Sequence, residues 1–134
     1  MLEKNNVSIK RNFCLYLAHN VNRLKAKFEI EFLDQAIDFI DKLDQKSRDK
    51  IIYNLDKSRY VNDPKLFKKL DDEIWEFRTK YSEKQFRLLA FWVKTKGKMS
   101  LVIATNGFVK KVSKVPKSEI EKASKLRNKY LEKL

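Results

Sequence analysis

The chain of 134 residues contains very few of the residues that build metal, disulfide or nucleotide-loop sites. One cysteine, Cys14, excludes an internal disulfide, and one histidine, His19, leaves the chain without a soft-ligand set for zinc. No glycine-rich phosphate loop, Ser-His-Asp set or HExxH motif is present. We therefore expect no metal and no cofactor, and any chemistry must be carried by arginine, lysine, tyrosine or a carboxylate.

Long apolar runs are also missing from the sequence. No run approaches the roughly 18 residues that a membrane-spanning helix needs. The apolar cluster at residues 13–18 is shorter than the roughly 7–15 residues of a secretory signal core. With 43% hydrophobic and 37% charged residues, the composition is that of a folded protein, and we expect a soluble, cytoplasmic one.

Acidic residues are also few, and one stretch of the sequence has almost none. Thirty-one Lys and Arg against eighteen Asp and Glu give a net charge of +13. Within residues 78–114, Glu83 is the one acidic residue beside ten basic ones: Arg78, Lys80, Lys84, Arg87, Lys94, Lys96, Lys98, Lys110, Lys111 and Lys114. Solvated faces usually mix both signs, so this block favours a phosphate-binding surface over a merely solubilising one.

The hydrophobic pattern predicts a small α+β domain. Strict alternation predicts strands at residues 27–33, 73–81, 86–93 and 99–108, the last two joined by a turn at Thr95-Lys96-Gly97-Lys98. Helical spacing predicts two helices joined near Asp44, and a last helix that starts at Pro116 or Ser118. The predicted order is β-α-α-β-β-β-α, a twisted, mostly antiparallel sheet with a helical hairpin and a C-terminal helix.

Residues 1–26 differ from the rest and predict a separate basic extension, so the domain is expected to span residues 27–134. Two interpretations of the extension stay open: an added flexible arm, or residues upstream of the true start of translation.

The basic residues suit one reaction, the attack of an RNA 2′-hydroxyl on the adjacent phosphodiester. The substrate supplies the nucleophile, while arginines neutralise charge at phosphorus and lysines with lowered pKa share in proton transfer. Arg87 lies among apolar residues of its strand and is expected at an opening cleft, because a buried cation needs a partner. Arg78 has an alternative role in an ion pair with Glu76, and Lys68-Lys69 is expected to be a solvated pair at a helix end.

Aromatic residues at strand ends could stack on bases. Tyr81 and Phe108 are the candidates, because Trp75, Phe77, Phe91 and Trp92 alternate into the expected core. Lys80 and Lys114, within the basic block, complete the expected RNA-binding set.

Several motifs together resemble the RelE/ParE superfamily of type II toxins, in its phage Gp49-like or HigB-like branch. They are Glu76-Phe77-Arg78, Gln85-Phe86-Arg87 before a long apolar strand, Asn106-Gly107-Phe108-Val109-Lys110-Lys111, and Pro116 with Glu119-Ile120 and Ala123. The similarity spans about residues 27–134.

This resemblance implies a bacterial toxin that cuts mRNA, generally on the ribosome, and that a cognate antitoxin neutralises, often a helix-turn-helix protein. By position, Arg78, Arg87, Lys110 and Lys111 match the family's catalytic basic residues. Some relatives carry a Tyr or His after the last strand; Val112-Ser113 stand there in this chain, so the lysines are assigned to proton transfer. Two alternatives stay open, a ParE-like gyrase poison and a non-catalytic basic domain that binds RNA or the ribosome.

Overall fold

Three helices and five strands form from residues 25–94 and 100–134, the parts of the chain that this computed structural model describes. In chain order they are β1 Phe28–Phe32, α1 Asp34–Asp41, α2 Gln45–Ser58, β2 Phe67–Asp71, β3 Ile74–Tyr81, β4 Lys84–Val93, β5 Ser100–Lys110 and α3 Lys117–Glu132. The strands form one sheet in the order β1-β5-β4-β3-β2. β1 runs parallel to β5 and the other pairs are antiparallel, which confirms the predicted fold class.

The two faces of the sheet are covered by different helices. On one face, Phe77, Leu88 and Val102 pack with the buried residues of α1 and α2 into the main core. On the other face, Leu89 packs with Ala123 of α3 in a smaller cluster. β4 therefore contributes apolar side chains to both faces, as its continuous apolar sequence predicts.

Asp44 and Arg48 fix the helical hairpin. The Asp44 carboxylate accepts a hydrogen bond from Ser47 N (3.2 Å) and so caps the first turn of α2. The guanidinium of Arg48 donates to the carbonyl oxygens of Asp41 (3.1 Å), at the end of α1, and of Leu43 (3.0 Å), in the loop that follows. The join near Asp44 lies where the sequence predicts it.

β2 is a strand that the sequence did not predict. Its residues pair with β3 at the edge of the sheet, so the expectation that Lys68-Lys69 ends a helix is wrong. Phe67 points into the main core and stacks on Phe77 at 4.1 Å between ring centroids. The two adjacent lysines interrupt the alternation that predicts a strand, so the sequence does not reveal β2. Charged residues are nevertheless common on edge strands, because they block further pairing.

Two predictions concern residues outside the described parts. Most of the expected extension, residues 1–26, and the expected turn at Thr95-Lys96-Gly97-Lys98 lie there. The domain limit at residue 27 stays a prediction. None of the helices in residues 25–94 and 100–134 is both long and apolar enough to cross a membrane.

The hairpin between β3 and β4 turns at Ser82 and Glu83. These are the only non-glycine residues with positive φ among those described, at 51° and 62°. Positive φ at both central residues is typical of a type I′ turn, which usually contains Asn-Gly because other residues are strained there. The turn aligns β3 with β4 despite that strain.

Replacing Ser82-Glu83 with Asn-Gly should stabilise the protein by about 1 kcal/mol, because both new residues adopt positive φ with less strain. Urea denaturation measures the change in free energy of unfolding. The matched control is Asp72-Glu73→Asn-Gly in the turn between β2 and β3, where neither residue has positive φ and no gain is expected. Equal effects in the two turns would contradict this account.

Candidate functional site

One end of the α3 face of the sheet carries a group of cations. Alternation along β3 puts Glu76, Arg78 and Lys80 on this face. The strand register then places Arg78 opposite Arg87, which in turn lies opposite Phe108. In the neighbouring rows on the same face, Lys68 lies opposite Glu76, and Lys110 lies opposite Gln85. We call the end of the sheet defined by Lys68, Arg78, Lys80, Arg87 and Lys110 the basic face.

Glu76 links the two arginines. Its Oε1 lies 3.3 Å from Nε of Arg78, and its Oε2 lies 3.8 Å from Nε of Arg87. The side chains of Glu76 and Arg87 are each 3% exposed, whereas that of Arg78 is 29% exposed. One buried carboxylate therefore balances two guanidinium groups, one of which reaches solvent.

Arg87 is oriented by further contacts on its own strand. Its Nη2 donates to Gln85 Oε1 (2.9 Å) and its Nη1 donates to the Phe86 carbonyl oxygen (3.1 Å). Burial lowers the pKa of Arg87; the charge of Glu76 opposes this effect and the charge of Arg78 adds to it. An arginine side chain in a protein stays protonated even with a lowered pKa, so these contacts hold a permanent positive charge in place.

Arg78 also joins β3 to the loop before β2. Its backbone N donates to the Leu66 carbonyl oxygen (2.8 Å), and its Nη1 donates to that of Pro64 (3.4 Å). This loop carries Lys65, which therefore faces the two arginines.

Two hollows meet at Arg78. The first, of about 330 Å³, is lined by Lys65, Arg78, Lys80, Gln85 and Arg87. The second, of about 300 Å³, lies between β2 and the start of α3; its polar lining is Lys68, Glu76, Arg78, Lys110, Ser113 and Lys114. Among the described residues that line them, Glu76 is the only carboxylate, so both hollows suit an anion.

Lys110 is the lysine whose environment changes its acidity. Burial is the largest cause of its lowered pKa, followed by the charge of Arg87; Arg78 and Lys68 lower it further and Glu76 raises it. A lysine with a lowered pKa is neutral in a larger fraction of molecules, so it can accept a proton. The basic face therefore combines fixed positive charge with a possible base.

The structure brings together only part of the predicted site. Arg78, Arg87 and Lys110 lie on one face, and Lys80 and Lys114 line the adjoining hollows. Three predicted residues line neither hollow. Lys111 is exposed, and Tyr81 packs against the main core on the opposite face. Phe108 lies opposite Arg87 on the same face, but it packs against the small cluster under α3.

Sequence reasoning missed three features of this face. Lys68 lines the second hollow, Gln85 holds Arg87, and Glu76 reaches Arg87 as well as its predicted partner Arg78. The ion pair between Glu76 and Arg78 is confirmed. The sequence indicates part of this arrangement, because the alternation of β3 places Glu76 and Arg78 on one face and the apolar neighbours of Arg87 predict a buried cation that needs a partner.

All of the Asn106–Lys111 motif except Lys111 lies in β5, and that position explains it. The buried amide of Asn106 donates to Glu119 Oε1 (3.0 Å) and so holds the start of α3 against the sheet. At Gly107, a Cβ atom would lie 2.7 Å from Cγ of Phe39, a residue of α1, so the Phe39 ring leaves room only for glycine at this position. Two residues beyond Phe108, Lys110 ends β5 beside the second hollow.

Glu76→Gln should lower the free energy of unfolding by about 3 kcal/mol, because the buried guanidinium of Arg87 loses its charged partner. Chemical denaturation measures this change. Glu73→Gln is the matched control, since its exposed pair with Arg127 (3.4 Å) is worth less than about 1 kcal/mol. Equal losses in the two variants would contradict a special role for the buried carboxylate.

Comparison with known proteins identifies the family. No curated protein matches the chain. The family model of the phage-derived Gp49-like proteins (DUF891) matches residues 38–128, which run from α1 into α3 and include all five residues of the basic face. That family belongs to the RelE/HigB-like toxin superfamily, whose toxins act with an antitoxin partner. The chain belongs to the family of phage-derived Gp49-like proteins.

Proposed function

We propose that this protein is the toxin of a type II toxin-antitoxin system and that it cuts mRNA without a metal ion, on the ribosome. The observation that carries the proposal is the adjacency of Arg78 and Arg87, opposite each other on neighbouring strands, with Lys110 coupled electrostatically to both. Family membership supports the toxin class; the chemistry is inferred from the residues.

The proposed reaction uses the substrate's own 2′-hydroxyl. Neutral Lys110 accepts the 2′-hydroxyl proton as the 2′-oxygen bonds to phosphorus. The bond from phosphorus to the 5′-oxygen breaks, and a lysine ammonium of the same face protonates that oxygen. The products are a 2′,3′-cyclic phosphate and a 5′-hydroxyl end. The reaction consumes no oxidant, reductant or water.

Arginines are suited to the charge that develops in this reaction. The phosphodiester carries one negative charge, and the pentacoordinate transition state carries more. The guanidiniums of Arg78 and Arg87 offer planar donors whose positions are set by Glu76, Gln85 and two backbone carbonyl groups. Preorganised donors of this kind stabilise a transition state without reorganising during the reaction.

The substrate path proposed here follows the two hollows. RNA would lie across the sheet end with the scissile phosphate at Arg78, which borders both hollows. Lys65 and Lys80 would then meet one neighbouring phosphate, and Lys68 and Lys114 the other. Tyr81 has no place in this path because it lies on the opposite face of the sheet.

Arg78→Ala should reduce mRNA cleavage about 10²–10³-fold, because one fixed donor to the transition state is lost. Primer extension on mRNA from a bacterial translation extract, and on the same RNA without ribosomes, measures cleavage and its dependence on the ribosome. Arg127→Ala is the matched control, an arginine paired with a glutamate away from the basic face.

The same assay separates the alternatives. Undiminished cleavage by Arg78→Ala would contradict the site assignment. Binding that weakens with salt but yields no cut RNA would favour a non-catalytic basic domain, and inhibition of DNA supercoiling without RNA cleavage would favour a gyrase poison.

Cleavage should accelerate as pH rises, up to a pKa below the ordinary lysine value of 10.5, because Lys110 must be neutral to accept the proton. Lys110→Arg keeps its charge throughout and should remove this pH-dependent rise while slowing the reaction. Single-turnover rates between about pH 6 and pH 10 measure both effects, with RNA alone as the blank. An unchanged profile in Lys110→Arg would assign the base to another group.

The antitoxin is expected to neutralise the basic face. We propose that an acidic segment of a helix-turn-helix partner lies across it, covers the two hollows and excludes RNA. Charge complementarity of this kind makes association faster at low salt.

A further inference from the structure

Glu76 is an unusual residue in a surface for RNA. In the part of the chain that the structure describes, it is the only carboxylate that lines the two hollows, and its negative charge repels the phosphate that the proposed function brings there. Arg78 does not need the charge of Glu76 to compensate for burial, because the side chain of Arg78 is partly exposed to solvent. Compensation of the buried Arg87 accounts for the carboxylate itself, and its contact with the partly exposed Arg78 calls for a further role.

The register of β3 and β4 creates a problem that Glu76 solves. Arg78 and Arg87 lie directly opposite each other, and like charges in that arrangement repel. Glu76 lies one row further into the sheet, opposite Leu89. From there each of its two oxygens faces the Nε atom of a different arginine, at 3.3 and 3.8 Å.

The contacts of Glu76 leave the outer ends of both guanidiniums to other groups. Nη atoms of Arg87 are held by Gln85 and Phe86, and Nη1 of Arg78 is held by Pro64. Among the described residues, neither Nε atom makes a hydrogen bond, and nor does Glu76 Oε2. The link between the three side chains is therefore mainly electrostatic.

We infer that Glu76 is a positioning residue of the cleavage reaction: its charge holds Arg78 and Arg87 side by side for the transition state, while it weakens binding of the RNA ground state. This inference rests on the proposed function. The arrangement favours catalysis because donors placed in advance act selectively on the transition state, whereas tighter ground-state binding does not raise kcat.

Opposite changes in binding and catalysis follow from this role. Glu76→Gln should bind RNA at least about threefold more tightly, because a repelling charge is removed; a water-like dielectric over roughly 6 Å sets this lower bound for a buried carboxylate. The same variant should have a kcat about 10²-fold lower, because the guanidiniums are no longer held within the fraction of an ångström that catalysis needs. A residue with only a structural role would lower binding and kcat together.

Glu76→Asp is the second variant, because it is expected to fold even if the loss of charge in Glu76→Gln unfolds the chain. It keeps the charge but shortens the side chain, so RNA affinity should match that of the wild type while kcat falls. Glu73→Gln serves as the control: it loses an exposed carboxylate outside both hollows and should change neither quantity.

The experiment measures two quantities on each folded variant. Fluorescence anisotropy with an RNA that carries 2′-O-methyl riboses gives affinity without cleavage, and single-turnover reactions with unmodified RNA give the rate of the chemical step. Circular dichroism confirms that each variant is folded.

The two proposals fail in different ways. If the wild type cleaves RNA and Glu76→Asp cleaves equally fast, or if Glu76→Gln loses affinity and rate in parallel, the role of Glu76 is overturned and the nuclease proposal survives. If the wild type binds RNA and yields no product either on free RNA or on mRNA in a translation extract, the nuclease proposal is overturned and the positioning role with it.

Discussion

The balance of charge among Arg78, Glu76 and Arg87 is the constraint on which the site depends. Two guanidiniums that face each other across a strand pair need an anion nearby, and Arg87 is 3% exposed, so solvent cannot supply the compensation. The carboxylate of Glu76 supplies it from within the sheet. As a result the positive charge of this face is fixed in position before any ligand arrives, unlike that of a mobile surface lysine.

The location of the site follows from how α3 covers the sheet. Ala123 and Ile120 pack on Ile74 and Leu89 at one end of this face, and Asn106 ties Glu119 to β5. The other end carries the cations of the basic face, with Phe108 opposite Arg87. A hydrophobic half and a basic half thus share one face, and the loop before α3 brings Lys114 to the boundary between them.

Much of this arrangement could be predicted from the sequence because strand alternation is a local property. It places Arg78 beside Glu76 on one face, and the apolar neighbours of Arg87 indicate a buried cation that needs a partner. The same alternation places Tyr81 with Phe77 on the opposite face, as the structure does. The prediction that Tyr81 stacks on RNA near the arginines therefore conflicts with the alternation of its own strand.

The remaining features depend on register and on edge pairing, which the sequence does not show. Arg87 meets Glu76 only because the turn at Ser82-Glu83 aligns the strands, and those two residues lack the usual signature of a tight hairpin. Lys68 joins the site only because a short charged segment pairs at the edge of the sheet.

The most direct test of the account uses an RNA with a single 2′-deoxyribose at a mapped cleavage position. If the protein cuts free RNA, the reaction contains EDTA and no ribosomes. If cleavage requires the ribosome, the translation extract is used without EDTA. The account predicts that cutting stops at that position and continues at unmodified ones, with 2′,3′-cyclic phosphate ends. Continued cutting at the deoxyribose would show that the nucleophile is not the neighbouring hydroxyl, and would contradict the mechanism assigned to the basic face.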